Sequence, residues 1–156
     1  MQKHATVTIY TIAEISSKKK VLLHKHKKLG IWIGIGGHIE PDENPLEAAY
    51  REAREEINRE ITILHNQTQL LRTDYMIELP LPLGLFEFSI PVYGDEPAHK
   101  HIDFTYAATT QNPESVTMPE EFGWFSQKQL GTLPLEVQVV RNVLTAMKIY
   151  ESISTG

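Results

Sequence analysis

A glycine-rich turn, Gly36-Gly37-His38-Ile39-Glu40-Pro41-Asp42-Glu43, feeds a segment, Arg51-Glu52-Ala53-Arg54-Glu55-Glu56-Ile57, that crowds carboxylates together. In a helix, Glu52 stands at i,i+3 to Glu55 and at i,i+4 to Glu56. Like charges at those spacings repel by about 0.2–0.5 kcal/mol per pair even on an open helix. At about 100° per residue the three glutamates fall within roughly a third of the circumference. They lie beside the apolar stripe of Leu46, Ala49, Tyr50, Ala53 and Ile57, not opposite it. That places them at the edge of a helix–sheet interface, where desolvation adds to the repulsion. A fold that keeps such a cluster usually has a cation to put in it. Magnesium suits the donors: it is hard, binds carboxylate oxygen and keeps positions for substrate phosphates. The competing reading is a solvated helix face, in which Glu47–Arg51 and Arg51–Glu55 are ordinary i,i+4 pairs. Gly34, Gly36 and Gly37 just upstream favour the metal, because they let the backbone approach a ligand closely and offer it a carbonyl.

The rest of the chain bounds this chemistry. Its 156 residues fit one domain, taken as 1–156, with a full core. The formal net charge is −5, so the surface as a whole is not built to attract nucleic acid. There is no cysteine, which removes disulfides, thiolate nucleophiles and sulfur-based zinc sites. No apolar run approaches the roughly 20 residues that cross a bilayer, and MQKHATVTIY lacks the apolar stretch of a signal peptide. A soluble, cytoplasmic protein is the expectation.

Periodicity predicts strands over Ala5–Ile12, Val21–His26, Ile31–Ile33, Ile61–Leu64, Gln69–Ile77, Leu85–Val92, Ile102–Ala108 and Phe122–Phe125. A first helix begins near Glu43 or Pro45, and Asn58 caps its C-terminus. Ser126 caps a short turn through Leu130, and a second amphipathic helix runs from about Pro134 to Tyr150. Helices interleaved with mostly hairpin-linked strands imply an α/β (α+β) fold, a mixed sheet between helices in an α/β/α sandwich.

The glycine turn and carboxylate helix resemble the signature of the Nudix (MutT-like) hydrolases: G, five residues, E, seven residues, R-E-U-x-E-E-x-G-U, with U a bulky aliphatic. Here the run is Gly37, Glu43 and Arg51-Glu52-Ala53-Arg54-Glu55-Glu56-Ile57-Asn58-Arg59, and every charged or glycine position through Glu56 matches in spacing. Trp32-Ile33-Gly34-Ile35-Gly36-Gly37-His38-Ile39-Glu40 also looks like the family's lead-in. Three positions depart: Ala53 for the aliphatic, Asn58 for the last glycine, and Arg59 for the closing aliphatic, whose contact Ile61 is placed to supply. The resemblance implies hydrolysis of a nucleoside diphosphate linked to another group, with Mg2+, or Mn2+ in its place. It implies Glu52, Glu55 and Glu56 as metal ligands, helped by the Gly37 carbonyl. Arg51 and Glu43 look like a supporting pair that orients the glutamates. For the proton acceptor, Glu52 comes first and Glu120 or Glu121 second, so the catalytic candidates are Glu52, Arg51 and Glu120. Glu40 is placed to face metal or substrate. A homodimer is compatible with the family. Two rivals stand beside this reading: a non-catalytic Nudix-like module that senses a nucleotide, and an isopentenyl-diphosphate isomerase-like activity, disfavoured because it depends on a cysteine.

Two further patterns invite function. His99, His101 and Asp103 alternate, so in a strand they share one face. A solvated face explains them first; His101 as pocket lining comes next, and a second metal last. Lys18, Lys19, Lys20, Lys25, Lys27 and Lys28, with His24 and His26 between, form the basic region. It suits phosphates or RNA, although a solvated hairpin is the commoner meaning. Trp32 and Trp124 are candidates for base stacking but also ordinary core residues.

Overall fold

The structure is a computed structural model that describes residues 1–116 and 118–154. Its strands are β1 (Lys3–Ile15), β2 (Lys18–Lys25), β3 (Trp32–Ile33), β4 (Ile35–His38), β5 (Ile61–Leu64), β6 (Gly84–Ile90), β7 (His99–Thr110) and β8 (Phe122–Ser126). The helices are α1 (Pro45–Ile57), α2 (Gln127–Leu130) and α3 (Val137–Ser154), with one 3-10 turn at Pro113–Ser115.

Two long strands, β1 and β7, pair in parallel with Thr6 opposite Asp103 and Ile9 opposite Tyr106. Each shares its outer edge between two antiparallel partners. Along β1, β4 covers Thr6–Ile9 and β2 covers Thr11–Ile15. Along β7, β6 pairs from His99 to Thr105 and β5 from Ala107 to Thr110. The sheet therefore forks beside the middle of β1, and a gap opens between the end of β2 and β4.

Alternation along β1 sends successive side chains to opposite layers. Val7 and Ile9 join Ala49, Ala53 and Ile57 of α1. Tyr10 and Ile12 join Val139, Val143 and Met147 of α3. The mixed sheet between helices is thus the expected layering. Burying a side chain of the Leu, Ile or Val class contributes about 1.5–3 kcal/mol, so these two clusters dominate the attraction between layers. Trp32 and Trp124 pack against them, which gives both a core role.

One expected strand is absent among the described residues. Gln69–Ile77 makes only a single bridge, Arg72 to Ile77, around a tight turn in which Thr73 N–H donates to Met76 O at 2.8 Å. The apolar pattern misleads because Leu71, Tyr75 and Ile77 are exposed. The segment satisfies its backbone locally: Leu71 N–H donates to the Glu78 carboxylate, and Leu81 N–H to the Gln67 amide oxygen.

Candidate metal and diphosphate site

The carboxylate helix begins as its sequence requires. Asn44 Oδ1 accepts from Glu47 N–H and Glu47 Oε1 accepts from Asn44 N–H, both at 2.9 Å, a reciprocal cap ahead of Pro45. Asn58 ends the helix in the left-handed conformation, φ 53°. Ile61 is buried against the same core cluster as Ala53 and Ile57.

Two glycines bring β4 close enough to matter. A Cβ at Gly36 would sit 1.9 Å from the Val7 carbonyl oxygen, so no side chain fits between β4 and β1. A Cβ at Gly37 would sit 2.3 Å from Glu52 Oε1, so the bare backbone there makes room for the carboxylate.

Arg51 organises the acids. Its Nε donates to Glu43 Oε2 at 2.7 Å and its Nη2 to Glu43 Oε1 at 2.9 Å. The same Nη2 reaches the His38 carbonyl at 2.8 Å. Nη1 donates to Glu52 Oε1 at 2.9 Å and to Glu55 Oε2 at 3.2 Å. The guanidinium holds the Glu43 carboxyl below the usual carboxylate range. Glu40 is more distant, its Oε1 3.8 Å from Arg51 Nε, and exposed.

One guanidinium does not neutralise the group. Burial, and then the hydrogen bond and charge of Glu52, push the Glu56 carboxyl up to about 8. Burial also raises Glu52, against the pull of Arg51. Both shifts run toward the protonated form, as expected of close acids in a poorly hydrated place. A divalent ion bound by oxygen donors would relieve the crowding of charge, and the donor set of Glu52, Glu55, Glu56 and the nearby backbone fits one.

Glu55 and Glu56 line one part of a cavity of about 520 Å³ in the fork of the sheet, together with Gly36, Gly37 and His38. That volume is within the usual range for a small-molecule site. His24, Lys25, His26, Lys27 and Lys28 line another part. The basic run is therefore not simply a solvated hairpin: its second half faces the cavity, where Lys28 is ion-paired with Glu96, while Lys19 is ion-paired with Glu151 elsewhere. Phe88, Ile90 and Phe122 supply apolar wall, and His24 stacks on Phe122 at 4.9 Å. Of the two later acids, Glu121 lines the cavity and Glu120 does not.

The solvated-face reading of His99, His101 and Asp103 is wrong. His99 and Asp103 are buried, because β7 is covered on this face. Asp103 accepts hydroxyl hydrogen bonds from Thr6 at 2.7 Å, Thr8 at 2.9 Å and Thr105 at 2.8 Å. His101 and Asp103 both reach the cavity wall. Sequence reasoning missed His4 and His38, which gather around His99 and His101. The parallel register sets His4 opposite His101, and the antiparallel pairing of β4 with β1 sets His38 opposite Thr6.

A family model for the NUDIX domain matches residues 3–147. This chain belongs to the NUDIX family. Among solved structures it is similar to a NUDIX-family hydrolase from Clostridium perfringens, with 28% identity over 96% of this chain and 99% of that one and a TM-score of 0.73. A C. elegans Ap4A hydrolase is 20% identical over 96% and 98% of the two chains, TM-score 0.56. The E. coli dihydroneopterin triphosphate pyrophosphohydrolase is 14% identical over 92% and 95%, TM-score 0.61. The last two show likeness of fold. No curated protein matches the chain. The chain is thus a Nudix hydrolase, of a family that acts on nucleoside diphosphate derivatives and generally uses divalent metals. No helix among the described residues is long and apolar enough to cross a membrane.

Proposed function

We propose that this Nudix hydrolase cleaves the pyrophosphate bond of a nucleoside diphosphate linked to another moiety, using Mg2+ or, in its place, Mn2+. The observation that carries the reading is the Arg51 network, which holds Glu55 and, beside Gly37, Glu52, with Glu55 and Glu56 at the wall of a cavity that also presents Lys25, Lys27 and Lys28. Acids and lysines on one cavity suit a ligand that is itself anionic and arrives with a divalent ion.

Glu52, Glu55 and Glu56, with the Gly37 carbonyl, would hold the metal. Bound there, magnesium would offset diphosphate charge and acidify an attacking water. Arg51 positions the acids by fixing their rotamers, with Glu43 fixing Arg51 in turn. Glu52 is the first choice to take the water's proton, because Arg51 and Gly37 define where its oxygens lie. Glu120 is the second choice by its place in the chain, although its neighbour Glu121 is the one on the cavity wall. The lysines would bind the distal phosphate, and His101 and Phe122 would bound the remaining group. Glu40 serves the mouth of the site at most through Arg51.

The test is a screen of nucleoside diphosphate derivatives with Mg2+, reading the released products. Glu52→Gln should lower kcat by orders of magnitude with the fold intact. Binding of nucleotides without turnover by any of them would sink the catalytic reading in favour of a sensing module.

A further inference from the structure

Four imidazoles meet where the starts of β1 and β7 adjoin the end of β4. His4 lies on β1, His38 on β4, and His99 and His101 on β7. One ring nitrogen from each of His4, His99 and His101 falls within 4.8 Å of the others. His99 Nε2 and His101 Nε2 are 3.0 Å apart, and His4 Nδ1 and His38 Nε2 are 3.3 Å apart. A tetrahedral ion with metal–nitrogen bonds of about 2.0–2.1 Å spaces its ligand nitrogens about 3.3 Å apart. His99 and His101 already stand near that separation, and His4, with a nitrogen within 4.8 Å of theirs, would complete the shell by moving inward.

We propose that His4, His99 and His101 form a binding site for a divalent transition ion, Zn2+ in the first place. The donors decide the class: neutral imidazoles suit zinc, nickel and copper, whereas magnesium wants oxygen. The site is also prepared behind the ligands. His99 is buried, and its Nδ1 lies 2.9 Å from the Pro97 carbonyl. With Nδ1–H donating to that oxygen, the Nε2 lone pair points at the cluster, the outer contact that typically fixes a ligating histidine. His4 has a neighbour of its own in His38. Glu96 Oε1, 3.8 Å from His99 Nε2, adds negative charge nearby.

Three histidines leave a tetrahedral ion one open position. His101 and His38 line the cavity, so the ion would border it. It would also tie the first residues of β1 to the start of β7. This site is separate in its donors from the carboxylate site, and its test does not depend on any turnover. The ordinary alternative is a set of imidazoles that only hydrogen-bond one another.

The full-length protein is titrated with Co2+ and with Zn2+ in excess Mg2+, following the visible absorption of cobalt and the thermal midpoint. The expected result is a tetrahedral cobalt spectrum displaced by one equivalent of Zn2+, and a midpoint raised by Zn2+. His4→Gln keeps every carboxylate; it should lose that spectrum and bind Zn2+ at least about tenfold more weakly. If His4→Gln fails to fold, His101→Gln is read in the same way. An octahedral cobalt spectrum in the unaltered protein, or Zn2+ uptake unchanged in the variant, overturns the site.

Discussion

Arg51 grips Glu43 with both arms of its guanidinium, Nε to Oε2 at 2.7 Å and Nη2 to Oε1 at 2.9 Å. The paired bonds fix the plane of the arginine, and the remaining nitrogen Nη1 then has no choice but to face Glu52 and Glu55. A lysine carries the same charge on a single nitrogen and cannot reproduce the fork. Arg51→Lys is therefore expected to lower kcat by tenfold or more, on the order seen when an outer partner of a metal ligand is lost. Mg2+ affinity should fall with it, and circular dichroism should stay unchanged. Activity within twofold of the parent would mean that Arg51 does not position the acids.

Gly36 and Gly37 are neighbours with different reasons to lack a side chain, and substitution should separate them. At Gly37 the obstacle is the end of the Glu52 side chain, 2.3 Å from an added Cβ, which can swing aside. At Gly36 it is the Val7 carbonyl oxygen at 1.9 Å, a backbone atom in a paired strand. Gly37→Ala should fold, with a thermal midpoint close to the parent, and should lose most of its Mg2+-dependent turnover. Gly36→Ala should instead lose stability first, by a degree typical of overpacked cores, about 1–3 kcal/mol. Equal loss of stability in both would contradict the distinction.

What the sequence disclosed follows the range of the interactions involved. The start of the carboxylate helix and its C-terminal cap were legible because Pro45 and Asn58 act within one turn of where they stand, whereas the Asn44–Glu47 cap was not read. The layering was legible because alternation and helical periodicity report faces directly. The error at Gln69–Ile77 came from reading apolar residues as a sheet strand in a segment whose one bridge, Arg72 to Ile77, closes on itself. The burial of His99 and Asp103 was not legible, since Asp103 is bonded by Thr6 and Thr8 and His99 lies beside His4, all on a strand about a hundred residues earlier in the chain. The cavity-facing half of the basic run was hidden for the same reason: it takes its meaning from the fork between β2 and β4.

Asn58 occupies the left-handed position where the family's signature has glycine, with φ 53°. Asparagine tolerates this conformation and alanine does not, at a cost of roughly 1–2 kcal/mol. Asn58→Ala should therefore lower the thermal midpoint by about 2–4 °C or somewhat more for a chain of this size. Asn58→Gly should leave it near the parent value or slightly above. Kinetics at saturating Mg2+ should be unaffected in both, because the acids proposed to hold the metal lie earlier on the helix. A stable Asn58→Ala protein would show that another backbone geometry is available at the cap.

Burial, and then Glu52, push the Glu56 carboxyl up to about 8, against 4.5 for an ordinary glutamate. The folded state thus holds a proton that the unfolded chain gives up. Its contribution to stability is complete below about pH 4.5 and is lost as the pH rises through about 8. Glu56→Gln removes that titration. With a chelator present, the variant should become progressively more stable than the parent between those limits. His24 works in the opposite sense: burial lowers it from 6.5 to about 4, so stability falls as the pH drops through that window. Both proteins keep His24, so its effect cancels in the difference. At the proposed site, added Mg2+ should favour the ionised parent and reduce or reverse the variant's advantage at high pH, since metal affinity grows as protons leave the ligands. The measurement is the difference in thermal midpoint across the pH range, with and without Mg2+. A difference that stays flat with pH in the chelated samples would show that Glu56 is ionised without a metal.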